Sequence, residues 1–221
     1  TQASGSIGGI TASRNAGGMY FRSRAIPSTP NTPYQAAVRL IVGGLVNHWV
    51  NTLTDAQRES WSTYAANVPL IDVFGDPKYR SGINHYVRSN TPIVQAGLDR
   101  VDDGPGIFNL GEFNILGVTA SAATQEISLA YDMGDAWRDE DNAALLAYVS
   151  APQAATVNYY KGPYKYAGKA AGDSTTPPTS PLVVTAPIAF AQGQKVFVRC
   201  QVCRADGRLS QSFRGGCISA A

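Results

Sequence analysis

The sequence predicts an α+β chain: an N-terminal β-hairpin arm and a small helical region, followed by an immunoglobulin- or fibronectin-like β-sandwich. Three observations carry that prediction. Residues 5–35 form a glycine-rich, basic run that leads directly into a helix start. Two segments after it place apolar residues at helical spacing behind capping signals. In the C-terminal half, short runs of alternating apolar and polar residues are separated by turn residues. The 221 residues therefore divide into an arm at 1–31, a helical region at 32–96, a Gly-, Pro- and Asp-rich linker at 97–117, and a sandwich at 118–221.

The arm holds five glycines (Gly5, Gly8, Gly9, Gly17 and Gly18), three arginines (Arg14, Arg22 and Arg24) and no acid. Ordering such backbone is entropically costly, so an isolated arm frays. Residues 6–13 and 19–24 read as two strands around the turn Asn15-Ala16-Gly17-Gly18, and Ile26-Pro27-Ser28-Thr29-Pro30 breaks the pairing. Its main apolar anchors are Ile7, Ile10, Met19, Tyr20 and Phe21. An isolated hairpin is marginal in water. These five side chains, with Arg14, Arg22 and Arg24, are therefore the expected contacts to another surface, that of a neighbouring copy, with the chain's own helices as the alternative.

Thr32-Pro33-Tyr34-Gln35 starts the first helix: Thr32 caps, Pro33 suits the first helical position, and Gln35 completes a capping box. The helix is expected to reach about Val50, with Ala37, Leu40, Ile41, Gly44 and His48 on one face, and Gly43-Gly44 leaving room for another backbone. Thr54-Asp55-Ala56-Gln57 repeats the start signal. Trp61, Tyr64, Ala65 and Val68 then follow at helical spacing, and Pro69 ends the helix. Residues 70–74 and 78–80 flank Gly75-Asp76-Pro77 as a small hairpin, and Ser81 caps a third helix at 82–90 that stops before Thr91-Pro92. Seven strands are read beyond it: 127–131, 146–150, 157–160, 164–167, 182–184, 196–204 and 209–213. In the sixth, Val196, Val198, Cys200 and Val202 share a face.

The net charge of +2 is unevenly spread. Residues 1–54 carry four arginines and no acid; 55–149 carry 14 acids and 6 bases; 150–221 carry 8 bases and 2 acids. Such a plus–minus–plus chain can attract its own copies through complementary faces. No apolar run approaches the ~20 residues of a membrane span. The opening TQASGSIGG has neither the basic nor the apolar region of a signal peptide. With Asp206-Gly207 as a hairpin turn, Cys200 faces Phe213, Cys203 faces Ser210 and Cys217 faces Val196, so no two cysteines pair and free thiols are expected.

Segments 18–24 (GMYFRSR), 30–35 (PNTPYQ), 53–61 (LTDAQRESW) and 86–90 (YVRSN) resemble motifs of a family of proteins from bacteriophages and phage-like gene clusters. The resemblance covers about residues 4–92 and implies a virion structural role, as a capsid decoration, minor capsid, tail or connector component made in the host cytoplasm. The partners it implies are copies of the chain itself and other virion proteins. It supplies no catalytic residues.

The residues point the same way, towards assembly and away from catalysis. His48 and His85 both sit in expected helices, where packing is the ordinary role of a histidine. There is no G-x-S-x-G elbow, and Gly104-Pro105-Gly106 with Gly111 fits no nucleotide-binding loop. Cys200-x-x-Cys203 lacks a second pair, and its side chains point to opposite faces of a strand. Asp132, Asp135, Asp139, Glu140 and Asp141 miss calcium-loop spacing and read as a solvated loop. Tyr159, Tyr160, Tyr164 and Tyr166, with Lys161 and Lys165, read as a sandwich strand pair or a packing surface for the next subunit, with stacking on nucleic acid or sugar as the alternative. No catalytic residue, cofactor, metal or small-molecule substrate is assigned. Two other classes fit the same composition: an extracellular filament or adhesin subunit, and a nucleic-acid-binding protein using the arm's arginines beside Tyr20 and Phe21.

Overall fold

The computed structural model describes residues 4–15, 17–25, 32–71 and 74–221. The chain divides into two compact units, 1–37 and 38–221.

The first unit is built on a three-stranded antiparallel sheet of β1 (Gly5–Ile7), β2 (Ile10–Asn15) and β3 (Gly18–Ser23), in that spatial order. The single strand expected over 6–13 is split by a turn at Gly8-Gly9, where Gly8 takes a φ of +57°. That left-handed conformation costs glycine little. Asn15 pairs with Gly18 across the second turn, and the Gly17 N–H donates to Asn15 Oδ1 at 2.9 Å. Ala16 and the expected break at 26–30 lie outside the described residues.

Helix α1 (Pro33–Asn51) starts where its cap signal stands: Thr32 Oγ1 accepts the Gln35 N–H at 3.3 Å. The return bond expected from the Gln35 side chain is not made. The buried stripe also differs from the expected face. Leu45 is buried, Ile41 and Trp49 pack beside it, and Leu40 is 79% exposed. The Trp49 ring, 5.3 Å from that of Tyr86, turns this side of the helix inward. Among the described residues, and apart from the helix's own backbone, nothing lies within 4 Å of where a side chain at Gly43 or Gly44 would begin.

Helix α2 (Asp55–Asn67) carries the full capping box, with Thr54 Oγ1 accepting from Gln57 N–H and Gln57 Oε1 accepting from Thr54 N–H. Trp61, Tyr64, Ala65 and Val68 are all buried, as their spacing predicts. Strands β4 (Leu70–Ile71) and β5 (Pro77–Lys78) form the small expected hairpin, shorter than read and with Pro77 inside the pairing. Part of the first expected strand, residues 72 and 73, is outside the described residues.

Helix α3 (Gly82–Gln95) does not stop before Thr91-Pro92. The Asn90 and Thr91 side chains donate to the carbonyls of Tyr86 and Val87, and Ile93 and Ala96 are buried against Leu146 and Cys203. Burial of this last turn outweighs the missing proline N–H, so tertiary packing overrides the local stop signal. The following segment has no helix or strand before Ile115 but is tied to the helices. Trp61 Nε1 donates to Asp102 O at 2.9 Å, Val101 N–H to Asn90 Oδ1 at 2.8 Å, and Gly104 N–H to Ser60 Oγ at 2.8 Å. A Cβ on Gly104 would lie 2.5 Å from the Ser60 carbonyl carbon and the Trp61 nitrogen, so only glycine allows this approach.

Seven strands follow, in two antiparallel sheets. One has the order β10-β7-β6, from β6 (Ile115–Ser121), β7 (Glu126–Tyr131) and β10 (Leu182–Thr185). The other has the order β12-β11-β8-β9, from β8 (Ala144–Ser150), β9 (Tyr164–Ala171), β11 (Lys195–Cys203) and β12 (Phe213–Ile218). One core joins them. Ile127 and Leu129 from the first sheet pack with Leu145, Val149, Val196, Val198 and Cys200 from the second, over Trp137 and Phe190. Expected and observed strands differ in three places. β6 falls partly in the expected linker, 157–160 is not a strand, and the last strand starts at Phe213. The β11–β12 register is read correctly for Cys200–Phe213 and Val196–Cys217, but Cys203 bridges Leu209, not Ser210. One extra residue is therefore taken up between the turn and β12, as in a β-bulge.

His85 is completely buried in the helical layer, edge-on to the Tyr64 ring at 5.5 Å, and neither ring nitrogen has a partner. Burial, helped by the Arg88 charge, lowers its pKa to about 4 from 6.5. The folded state therefore holds it neutral, while the unfolded chain takes up a proton below pH 6.5. Its contribution is complete above pH 6.5 and is lost as pH falls towards 4, by up to about 3 kcal/mol. Asp102 and Asp173, whose carboxyls are held below 3.8, lose theirs only in stronger acid. Urea titrations between pH 7 and pH 4 are expected to show this fall for the native chain and a much flatter profile for His85→Phe.

Candidate assembly surface

The register of the first sheet sorts the expected contact residues onto two faces. Ile7 pairs with Ile10, Ala12 with Phe21, and Arg14 with Met19. Cross-strand partners share a face and the period along a strand is two. One face therefore carries Ile7, Ile10, Ala12, Met19 and Phe21, ending on Arg14. The other carries Ser6, Thr11, Ser13, Tyr20 and Arg22, with a Ser6–Thr11 hydroxyl contact of 2.7 Å. Arg24 follows β3, and its N–H donates to Gly9 O. The structure thus gathers four of the five apolar anchors and sets Tyr20 apart with the polar residues. Ile7 is 89% exposed and Phe21 67%. Among the described residues of its own unit this sheet has no second layer, and the described residues of the hydrophobic clusters lie between Ile41 and Cys217.

The motif residues of the helical layer serve the fold. Leu53, Trp61 and Tyr86 are buried in one cluster, with Trp61 edge-on to both Tyr64 and Tyr86. Arg58 donates to the carbonyls of Trp49 and Val50, unpaired groups at the end of α1, and bonds Asp55 at 2.9 Å. His48 Nε2 lies 3.3 Å from the Asp102 carboxylate, which also meets Arg100 at 2.6 Å. Burial opposes ionisation of Asp102, but the Arg100 hydrogen bond and charge, with His48, hold its carboxyl below the usual range. This is a clamp between α1 and the segment after α3.

The acidic loop is not simply solvated. Asp135 is buried and accepts from the Asn114 N–H and from Trp137 Nε1. Glu140 pairs with Arg204 and accepts the Ala205 N–H, and Asp141 accepts from Ser174. Among the described residues no group of three or more His, Cys, Asp or Glu side chains is placed to hold a metal ion. All three cysteines are free. Burial pushes the Cys200 thiol up to about 12 and the Cys203 thiol to about 11, far from reactive thiolates. Among the described residues no helix is long and apolar enough to cross a membrane.

The aromatic-basic stretch is only part of what surrounds it. Tyr159, Tyr160 and Tyr164 meet Phe197 and Lys195 of β11 and Arg214 of β12 around a cleft of about 210 Å³ on the outer face of the four-stranded sheet. Tyr166 instead packs on Tyr148, 5.6 Å away. Sequence reading missed Lys195, Phe197 and Arg214, because strand pairing brings them there from far along the chain. The only sequence signal is the alternation of β11, which places Lys195, Phe197 and Arg199 on the face opposite its core residues.

The chain matches no protein-family model, no curated protein and no solved structure.

Proposed function

We propose that the chain is a bacteriophage virion structural protein that assembles with its own copies through the N-terminal arm. The observation that carries this reading is the one-sided sheet of the first unit: an apolar face of Ile7, Ile10, Met19 and Phe21 with no second layer among that unit's described residues. A lone small sheet is marginal in water, and an apolar sheet face is stable only against another layer. A neighbouring copy offers both a layer and charge complementarity. The arm holds three arginines and no acid, whereas 55–149 holds 14 acids against 6 bases. The virion setting rests on the resemblance of segments 18–24, 30–35, 53–61 and 86–90 to phage proteins.

The two-sheet region is read as an immunoglobulin- or fibronectin-like sandwich. Its support is seven antiparallel strands in sheets of three and four over one core. Its fourth strand, β9, pairs with the third strand instead of the fifth, unlike the constant-type immunoglobulin order. The arm is the joining element, and the sandwich is the projecting one.

Sedimentation velocity on the full chain tests assembly: oligomers that grow with concentration and shrink with added salt support it, and a monomer at every concentration rejects it. Mass spectrometry of purified particles tests the virion setting.

A further inference from the structure

We propose that the cleft on the outer face of the four-stranded sheet binds an acidic saccharide, one uronate-type ring at a time. Pairing of β11 with β12 sets Arg214 directly opposite Arg199, with Phe197 opposite Gly216 one step along the same face and Lys195 beyond it. Three cations thus share one face of two neighbouring strands. Like charges directly opposite are destabilising. Among the described residues, none of the three is within ion-pair distance of a carboxylate. Aromatic rings hold them instead: Arg199 lies over Tyr148 at 4.5 Å and Lys195 over Phe197 at 5.4 Å, while Arg214 donates to the Tyr159 hydroxyl at 3.2 Å. Lys195 and Arg214 line the cleft, whereas Arg199, whose Nε is buried without a hydrogen-bond partner, lies against Tyr148 and Tyr164 outside its wall. A bound anion would relieve this accumulation of charge.

The rings indicate what carries the anion. Tyr160 stacks on Phe197 at 5.8 Å, so those two faces are mutually satisfied, and Phe197 lies across Gly216, where a Cβ would stand 2.9 Å from the ring. Tyr159 is 67% exposed and pinned by Arg214, and it offers the free aromatic plane. One free plane and about 210 Å³ suit a single pyranose ring, with its C–H face on Tyr159 and its carboxylate on Arg214 and Lys195. A single-stranded nucleic acid needs successive stacking platforms along a groove. A neutral sugar would leave the cations unanswered.

The experiment is an NMR titration of the full chain with a hyaluronan tetrasaccharide, repeated with chitotetraose and with a thymidine octamer. Arg214→Ala and Tyr159→Ala are the variants; both side chains are exposed, so an unchanged melting temperature certifies their fold. The expected result is a set of shifts confined to the cleft with the glucuronate-bearing glycan. Either variant should weaken that binding by about tenfold or more, and chitotetraose should give no comparable response. Four results overturn the proposal: no cleft shifts at millimolar hyaluronan tetrasaccharide, equal binding of chitotetraose, displacement of the glycan by the octamer, or folded variants that bind as the native chain does.

Discussion

Trp61→Ala is expected to lower the stability of the second unit by about 3–5 kcal/mol, the range for truncating a large buried aromatic. Trp61 is fully buried, and its ring is edge-on to both Tyr64 and Tyr86, at 5.8 and 5.6 Å. Its Nε1 donates to Asp102 O at 2.9 Å, and its far edge reaches the β11–β12 turn, where a Cβ on Gly207 would stand 3.1 Å from it. One side chain thus joins α2, α3, the segment after α3 and the β11–β12 turn. Alanine leaves a cavity bounded by all four and strands the Asp102 carbonyl. Leu40→Ala is the internal control: the residue is 79% exposed, so the change should stay within about 0.5 kcal/mol. Urea unfolding followed by fluorescence and by circular dichroism measures both. A loss below 1 kcal/mol for Trp61→Ala would mean that the helical layer does not depend on this contact.

The parts legible in the sequence are those fixed by local chemistry. Thr54 and Gln57 announce α2 because a capping box is made within four residues, and the alternation of Ile127, Leu129 and Tyr131 marks β7 because each buries on the same side. What failed depends on distant partners. The end of α3 is not legible locally because the burial of Ile93 under Leu146, more than fifty residues on, outweighs Pro92. The buried face of α1 is not either, because Trp49 is drawn to Tyr86, which no spacing within α1 encodes. β6 hides in ILGVTAS, where glycine and a register shift blur the alternation. Residues 157–160 look like a strand by composition, but the Tyr160 ring is taken up by Tyr164 and Phe197 instead of a ladder. The contact residues of the arm were legible as a set, since glycine, arginine and aliphatic content is local. The placing of Ile7 on the face of Ile10 is not, because residues three apart in one strand point opposite ways and these two pair only through the turn at Gly8-Gly9.

Removing residues 1–24 is expected to abolish self-association while leaving the melting temperature of the remaining chain unchanged. The remainder keeps every residue of the three hydrophobic clusters, since these begin at Ile41. It also keeps the local signals that start its helices, the Thr32 cap and the Thr54–Gln57 capping box. What it loses is a sheet whose apolar face has no second layer among the described residues of its own unit, together with three arginines. Two narrower variants separate the contributions. Ile7→Ser with Phe21→Ser strips the apolar face without touching charge, and should raise the dissociation constant by a hundredfold or more, from about 1.5 kcal/mol or more for each side chain re-exposed. Arg14→Gln with Arg22→Gln and Arg24→Gln leaves the apolar face intact; it should weaken association less, and should remove most of its salt dependence, since exposed charges act through a screened field. Sedimentation velocity reads association for all three chains, and differential scanning calorimetry reads folding. A truncated chain that still associates removes the arm from the interface, and one that melts well below the full chain shows that the arm serves the fold of its own copy.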